Sequence, residues 1–230
     1  MTRPNSRPAI DFIFMFTRAD QTVEDCLAVF DVVASAGVKH MGFKDVGTDF
    51  ETLIALNKRI QDAGATSYLE VVSTTPEACL DSARAARRIG VDIVMGGTDA
   101  EGILEVLEGS GIGYLPFPGR PVGHPTALGG SATDIEADCR KFESLGCAGV
   151  DLLAYRATEA DPLDLVKAAR RATRGTLVVA GSVDSPDRIR ALADAGANAF
   201  TIGSAAFDGS FSPRKGALAS QLGDILDAAA

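Results

Sequence analysis

"LVVAGSVDSPDRIRALADAGANAFTIGSAAF", residues 177–207, contains one complete unit of the fold. Leu177 to Ala180 is a short, β-branched apolar run, the mark of a buried strand. Gly181-Ser182 ends it. Ser185 before Pro186 puts an N-cap residue ahead of a proline at the first helical position. The helix that follows ends at Gly196, a residue suited to the left-handed position after a helix. A second apolar strand, "NAFTIGS", starts almost at once and also ends in Gly-Ser. A strand, a helix and a strand joined this tightly form a parallel crossover.

The same unit recurs through the chain. Helical stretches end at Gly37, Gly64, Gly90, Gly111, Gly146, Gly175 and Gly196. The strands after them are "VKHMGFKD", "TSYLEVV", "VDIVMGG", "IGYLPFP", "CAGVDLLAY", "TLVVAGS" and "NAFTIGS", and "AIDFIFMFT" precedes them all. Helix starts are expected at Thr75-Pro76, Asp161-Pro162, Ser185-Pro186 and Ser212-Pro213, and capping boxes at Thr22/Asp25 and Thr133/Glu136. In residues 50–64, Phe50, Leu53, Ile54, Leu56 and Ile60 share an apolar stripe. Eight strand–helix units in 230 residues predict an α/β fold, a (β/α)8 TIM barrel forming a single domain over residues 1–230. A doubly wound open sheet usually has fewer strands, and the first strand–helix turn here lacks G-x-G-x-x-G.

Composition narrows the function. The formal charge is −9 and the pI about 4.7, so the surface repels nucleic acid and anionic membranes. An anionic ligand therefore needs a locally positive pocket. No run of eighteen apolar residues is present, and the apolar stretch after the basic N-terminus is broken by Asp11, so it reads as a first strand and not a signal sequence. Cys26, Cys79, Cys139 and Cys147 form no C-x-x-C pair, and free thiols in a reducing cytoplasm are the expectation.

In a barrel the working residues lie at the C-terminal strand ends. Gly181-Ser182 and Gly203-Ser204 end strands seven and eight, side by side. Glycine allows close backbone approach, serine adds a hydroxyl, and "SAAF" can form a short extra helix, which together predict a phosphate site. The closing segment resembles the phosphate-binding TIM barrels, among them the ribulose-phosphate-binding isomerases, epimerases and decarboxylases. The resemblance covers about the last third of the chain and implies a small phosphorylated substrate.

Lys44 is the anomaly. It interrupts an apolar strand, where an unpaired ammonium is costly. Strand alternation turns Met41 and Phe43 toward the helices and His40, Gly42 and Lys44 inward, with Lys44 nearest the mouth. The same rule sends Glu70, Asp151, Leu153 and Tyr155 inward. Lys44 is thus a candidate nucleophile able to form a Schiff base, with Glu70 and Asp151 to move protons. A structural ion pair is the alternative. The formylfuran-phosphate synthases resemble this chain in a lysine near the end of strand two and in "AGS" on strand seven. They also carry a lysine on strand four, where this chain reads "VDIVMGGT", so their activity is not carried over.

Further candidates for substrate oxygens are Arg18 and Asp20 after strand one, Arg156 after strand six, and Arg120 and His124 in residues 116–130. That Pro/Gly-rich segment is expected to be irregular, either a lid or a subunit contact in a homo-oligomer. With two histidines and no H-E-x-x-H, zinc is not expected. No cofactor is expected, with a magnesium site on Asp45, Glu70 and Asp151 as the alternative. The expected function is that of an isomerase, epimerase or aldolase-type lyase acting on a small phosphorylated sugar or keto compound. The other expectations are a magnesium-dependent enzyme and a non-catalytic phosphometabolite-binding barrel.

Overall fold

The alternation of short apolar runs with amphipathic stretches builds eight parallel strands with helices between them. The structure, a computed structural model, describes residues 9–73, 75–123 and 126–230. The strands are β1 (Asp11–Met15), β2 (His40–Lys44), β3 (Thr66–Val71), β4 (Ile93–Gly96), β5 (Gly113–Leu115), β6 (Gly149–Leu152), β7 (Thr176–Val179) and β8 (Ala199–Ile202). The helices are α1 (Cys26–Ser35), α2 (Phe50–Asp62), α3 (Pro76–Ile89), α4 (Ala100–Leu107), α5 (Ala132–Ser144), α6 (Pro162–Ala172), α7 (Pro186–Ala195) and α8 (Leu218–Ala229). A one-turn helix, Ser204–Phe207, lies between β8 and α8.

The strand order is β6-β7-β8-β1-β2-β3-β4-β5. The two outer strands of this order meet: the Ala148 N–H donates to the Tyr114 carbonyl and the Asp151 N–H to the Pro116 carbonyl, each at 2.9 Å. These bonds close the sheet into a TIM barrel. The lumen is packed by Ile13, Met15, Tyr68, Met95, Leu115, Val178 and Ala199. Met41, Phe43, Leu69, Val94 and Phe200 belong to the larger core between strands and helices. The period-two alternation separates these sets, and Gly42 shows how tight the lumen is. A Cβ there would sit 2.5 Å from the Met15 sulfur.

Several local expectations are corrected. β6 ends at Leu152, and Ala154–Arg156 form a 3-10 turn, so alternation stops there. Leu153 joins the outer core, and Tyr155 stacks under Arg188 (4.6 Å), not in the lumen. Gly175 is not left-handed; α6 ends at Ala172 with the extended Thr173 as its C-cap, and a Cβ at Gly175 would lie 2.6 Å from the Ala148 carbonyl. Ser212-Pro213 starts no helix, because Ser212 bonds to Gln221 and Asp224 of α8. The capping box of α5 is Ser131/Asp134, while Glu136 pairs with Arg171 and Arg140. At α1 the N-cap is Asp25, and Thr22 is bonded to the backbone of Lys44.

Residues 116–130 are less irregular than expected. Arg120–Val122 and Ala127–Gly129 pair as an antiparallel hairpin, which the buried Leu128 anchors. A second hairpin, Thr17–Arg18 with Gln21–Thr22, follows β1. No described helix is long and apolar enough to cross a membrane.

Candidate active site

Parallel register places Lys44 directly beside Glu70 on the neighbouring strand. Both side chains point into the barrel mouth, where Lys44 is 3% and Glu70 8% exposed. The Lys44 Nζ lies 3.6 Å from Glu70 Oε2 and 2.8 Å from Asp20 Oδ1. Asp20 comes from the hairpin after β1. Thr22 locks this hairpin to β2: its hydroxyl donates to the Lys44 carbonyl and accepts from the Lys44 N–H, both at 2.8 Å. The Arg156 guanidinium approaches the same Asp20 oxygen at 3.5 Å. Burial opposes ionisation of Asp20, but Lys44 and Arg156 together outweigh it and hold the carboxyl below its ordinary value.

The backbone at the mouth is strained. Among the described residues, the non-glycine positions with positive φ are Ala19 (49°), Asp20 (60°) and Ser182 (58°). Ala19 and Asp20 are the two central residues of the Thr17–Thr22 hairpin, where left-handed residues are required and glycine or asparagine is usual. Such conformations cost roughly 1–3 kcal/mol each and cluster at functional sites.

A cavity of about 290 Å³ opens between these groups and the ends of β7 and β8. Gly181, Ser182, Gly203 and Ser204 form one wall, and Lys44, Glu70, Asp20 and Arg156 the other. Gly181 is left-handed, and the Arg156 side chain crosses it so closely that a Cβ would meet Nε at 2.4 Å. Gly203 has another role. A Cβ there would lie 2.7 Å from the Thr17 carbonyl and 2.8 Å from its hydroxyl, so this glycine also lets β8 pass the exit of β1.

Asp151 lies on β6 and is fully buried. Neither carboxyl oxygen has a hydrogen-bond partner among the described residues. Burial first, and then the negative charge of Glu70, push its pKa well above the ordinary carboxylate value, against the opposing pull of Lys44 and Arg156. Asp151 therefore holds its proton more tightly than an ordinary carboxyl does.

Other candidates lie apart from this cluster. Arg120 bonds to Glu159 (3.1 Å) and Asp134 (3.4 Å) and does not reach the cavity. Arg18 sits at the outer rim, 3.0 Å from Asp208 and above the Phe207 ring. Asp45 accepts from the Ser82 hydroxyl on α3 and does not join Glu70 and Asp151. Among the described residues no group of three or more His, Cys, Asp or Glu side chains is arranged to hold a metal ion. His124 lies outside the described residues. Asp184, on the cavity wall, pairs with Arg188 at 2.9 Å. Arg188 also donates to the Ser182 carbonyl and so braces the turn after β7. Sequence patterning gave Arg188 no distinction, because it lies on an ordinary helical turn.

The sequence matches no protein-family model and no curated protein. Solved structures do resemble it. One described as native KDPGal is 17% identical with a TM-score of 0.65, over 99% of this chain and 97% of that one. The YdjI aldolase from Escherichia coli K12 is 14% identical with a TM-score of 0.65, over 96% and 91%. The N-acetylmannosamine-6-phosphate 2-epimerase from Clostridium perfringens is 9% identical with a TM-score of 0.62, over 85% and 86%. At such identities the likeness shows the TIM-barrel fold.

Proposed function

We propose that the protein is an enzyme acting on a small phosphorylated sugar or keto compound, as an isomerase, epimerase or aldolase-type lyase. The observation that carries this reading is the buried Lys44 amine, held between Asp20 and Glu70 and facing the Gly181-Ser182 and Gly203-Ser204 turns across one small cavity. The turns and Arg156 would hold the phosphoryl group. That orients the carbonyl carbon toward Lys44, a large part of catalysis on its own. Lys44 would add to the carbonyl and release its oxygen as water, and Glu70 would accept a proton from the adjacent carbon, while Asp151, fully buried and not part of the cavity lining, would act on Glu70 and not on the substrate. The names of structural neighbours, an aldolase and a sugar-phosphate epimerase, agree with this class.

The test is a panel of phosphorylated aldoses and ketoses, assayed for turnover and for borohydride trapping. Trapping on Lys44, located by mass spectrometry and absent in Lys44→Met, is the expected result. Turnover by the panel without any adduct at Lys44 would remove the amine from the chemistry.

A further inference from the structure

Two cations share one carboxylate oxygen at the barrel mouth. Lys44 Nζ is 2.8 Å and Arg156 Nη2 3.5 Å from Asp20 Oδ1. Arg156 also lies across Gly181 at the cavity wall. Asp20 thus links the group that would react to the group nearest the turns that would hold phosphate. The link is held in place by a costly backbone, since Ala19 and Asp20 are both left-handed without being glycine, and by Thr22 bonded to the Lys44 backbone. An acid that merely balanced charge would need none of this.

We propose that Asp20 is a positioning residue that couples occupation of the phosphate cradle to the reactivity of Lys44. The inference rests on the function proposed above. A phosphoryl group entering between Gly181-Ser182 and Gly203-Ser204 competes for Arg156 and draws its guanidinium off Asp20. Asp20 then loses one of the two cations that keep it ionised and becomes a better proton acceptor. One N–H bond of the Lys44 ammonium breaks, its electron pair stays on nitrogen, and the proton forms an O–H bond at Asp20 Oδ1. The neutral amine attacks the carbonyl. Discrimination between phosphorylated and unphosphorylated carbonyl compounds therefore resides in the rate at Lys44 as well as in binding.

The substrate can be tested in two pieces. Dihydroxyacetone serves as the carbonyl probe, inorganic phosphate as the anion, and the borohydride-trapped adduct at Lys44 is quantified by mass spectrometry. Dihydroxyacetone phosphate is the intact control, and calorimetry measures phosphate binding. In the wild-type protein, saturating phosphate is expected to raise the trapping rate with dihydroxyacetone at least tenfold. Asp20→Asn keeps the side-chain shape and tolerates a left-handed backbone. It is expected to retain phosphate binding and to lose the enhancement, whereas Arg156→Met is expected to bind phosphate more weakly and to show no enhancement even at saturating phosphate. The ratio with and without phosphate is the readout, so a shift in basal trapping does not obscure it. Wild-type protein that binds phosphate and traps the intact control, but shows no enhancement, would overturn the coupling and leave the proposed function standing. An undiminished enhancement in Asp20→Asn would do the same. No phosphate binding, or no adduct with the intact control, would overturn both.

Discussion

Lys44 Nζ and Asp20 Oδ1 are 2.8 Å apart, although the residues lie 24 positions apart and on different elements. The contact changes what removing the lysine should do. Deleting one member of a buried pair leaves the other uncompensated, at a cost of about 3–5 kcal/mol. Lys44→Met is therefore expected to lower both turnover, by about two orders of magnitude or more, and stability at neutral pH. Asp20, with its lowered folded pKa, contributes stability that is present above its ordinary value of 3.8 and fades as pH falls through the folded value. Without Lys44 that contribution shrinks, so the stability gap between variant and wild type should narrow on acidification. Adding Asp20→Asn should recover part of the loss at neutral pH without recovering turnover. Urea unfolding of the four proteins of this cycle tests it, and additive losses would mean the pair is not coupled.

Asp151 gives the opposite pH dependence. Its folded pKa is raised above the ordinary 3.8, so the native state keeps a proton that the unfolded chain releases. Stability then falls as pH rises from about 3.8 toward the folded value. Asp151→Asn removes the titration. Its stability relative to wild type should therefore improve between pH 5 and pH 8. Unfolding free energies at those two values check this, and parallel changes in both proteins would mean that Asp151 ionises normally.

The eight-unit repeat was readable because each unit carries its own punctuation. Pro186 and Gly196 mark the ends of α7, and apolar runs of strand length stand on both sides. Lys44 and Glu70 were readable as neighbours because alternation fixes the face of each residue and parallel register fixes the row. The rule failed at Leu153 and Tyr155, where a 3-10 turn begins although no glycine or proline stands between Val150 and Arg156. The hairpin carrying Asp20 left no trace in the sequence either. Its turn is built from Ala19 and Asp20, neither of which announces a left-handed pair, and it is held by contacts to β2 that are distant in the chain. Arg120 looked like a free cation in a loop because its partner, Glu159, follows β6 and is brought near only by the fold.

Gly203 tests packing at the phosphate wall. Its φ of −122° lies outside the left-handed region that favours glycine. The obstacle is Thr17, whose carbonyl and hydroxyl oxygens would lie under 3 Å from a new Cβ. Gly203→Ala is expected to cost about 1–3 kcal/mol, in the range of overpacking, and to loosen the Thr17–Thr22 hairpin. Thermal unfolding and hydrogen exchange at residues 17–22 measure the two effects. Unchanged exchange there with weaker phosphate binding would make Gly203 a ligand-approach residue alone.

Ala19→Gly separates stability from function. A left-handed L-residue costs about 1–2 kcal/mol, and glycine removes that cost. Glycine also has more freedom to lose on folding, which takes back roughly 0.5–1 kcal/mol. The net expectation is a gain of up to about 1 kcal/mol. No charge changes. If the strained turn exists to hold Asp20 against Lys44 and Arg156, the looser glycine turn should let the carboxylate wander. Turnover should then fall severalfold while the melting temperature holds or rises, the trade-off expected where a site keeps backbone strain for function. Equal or higher turnover in a stabilised Ala19→Gly protein would show that the strain has no part in positioning Asp20. A loss of both stability and turnover would show that the alanine methyl packs in a way the hairpin needs, and the turn would then be structural.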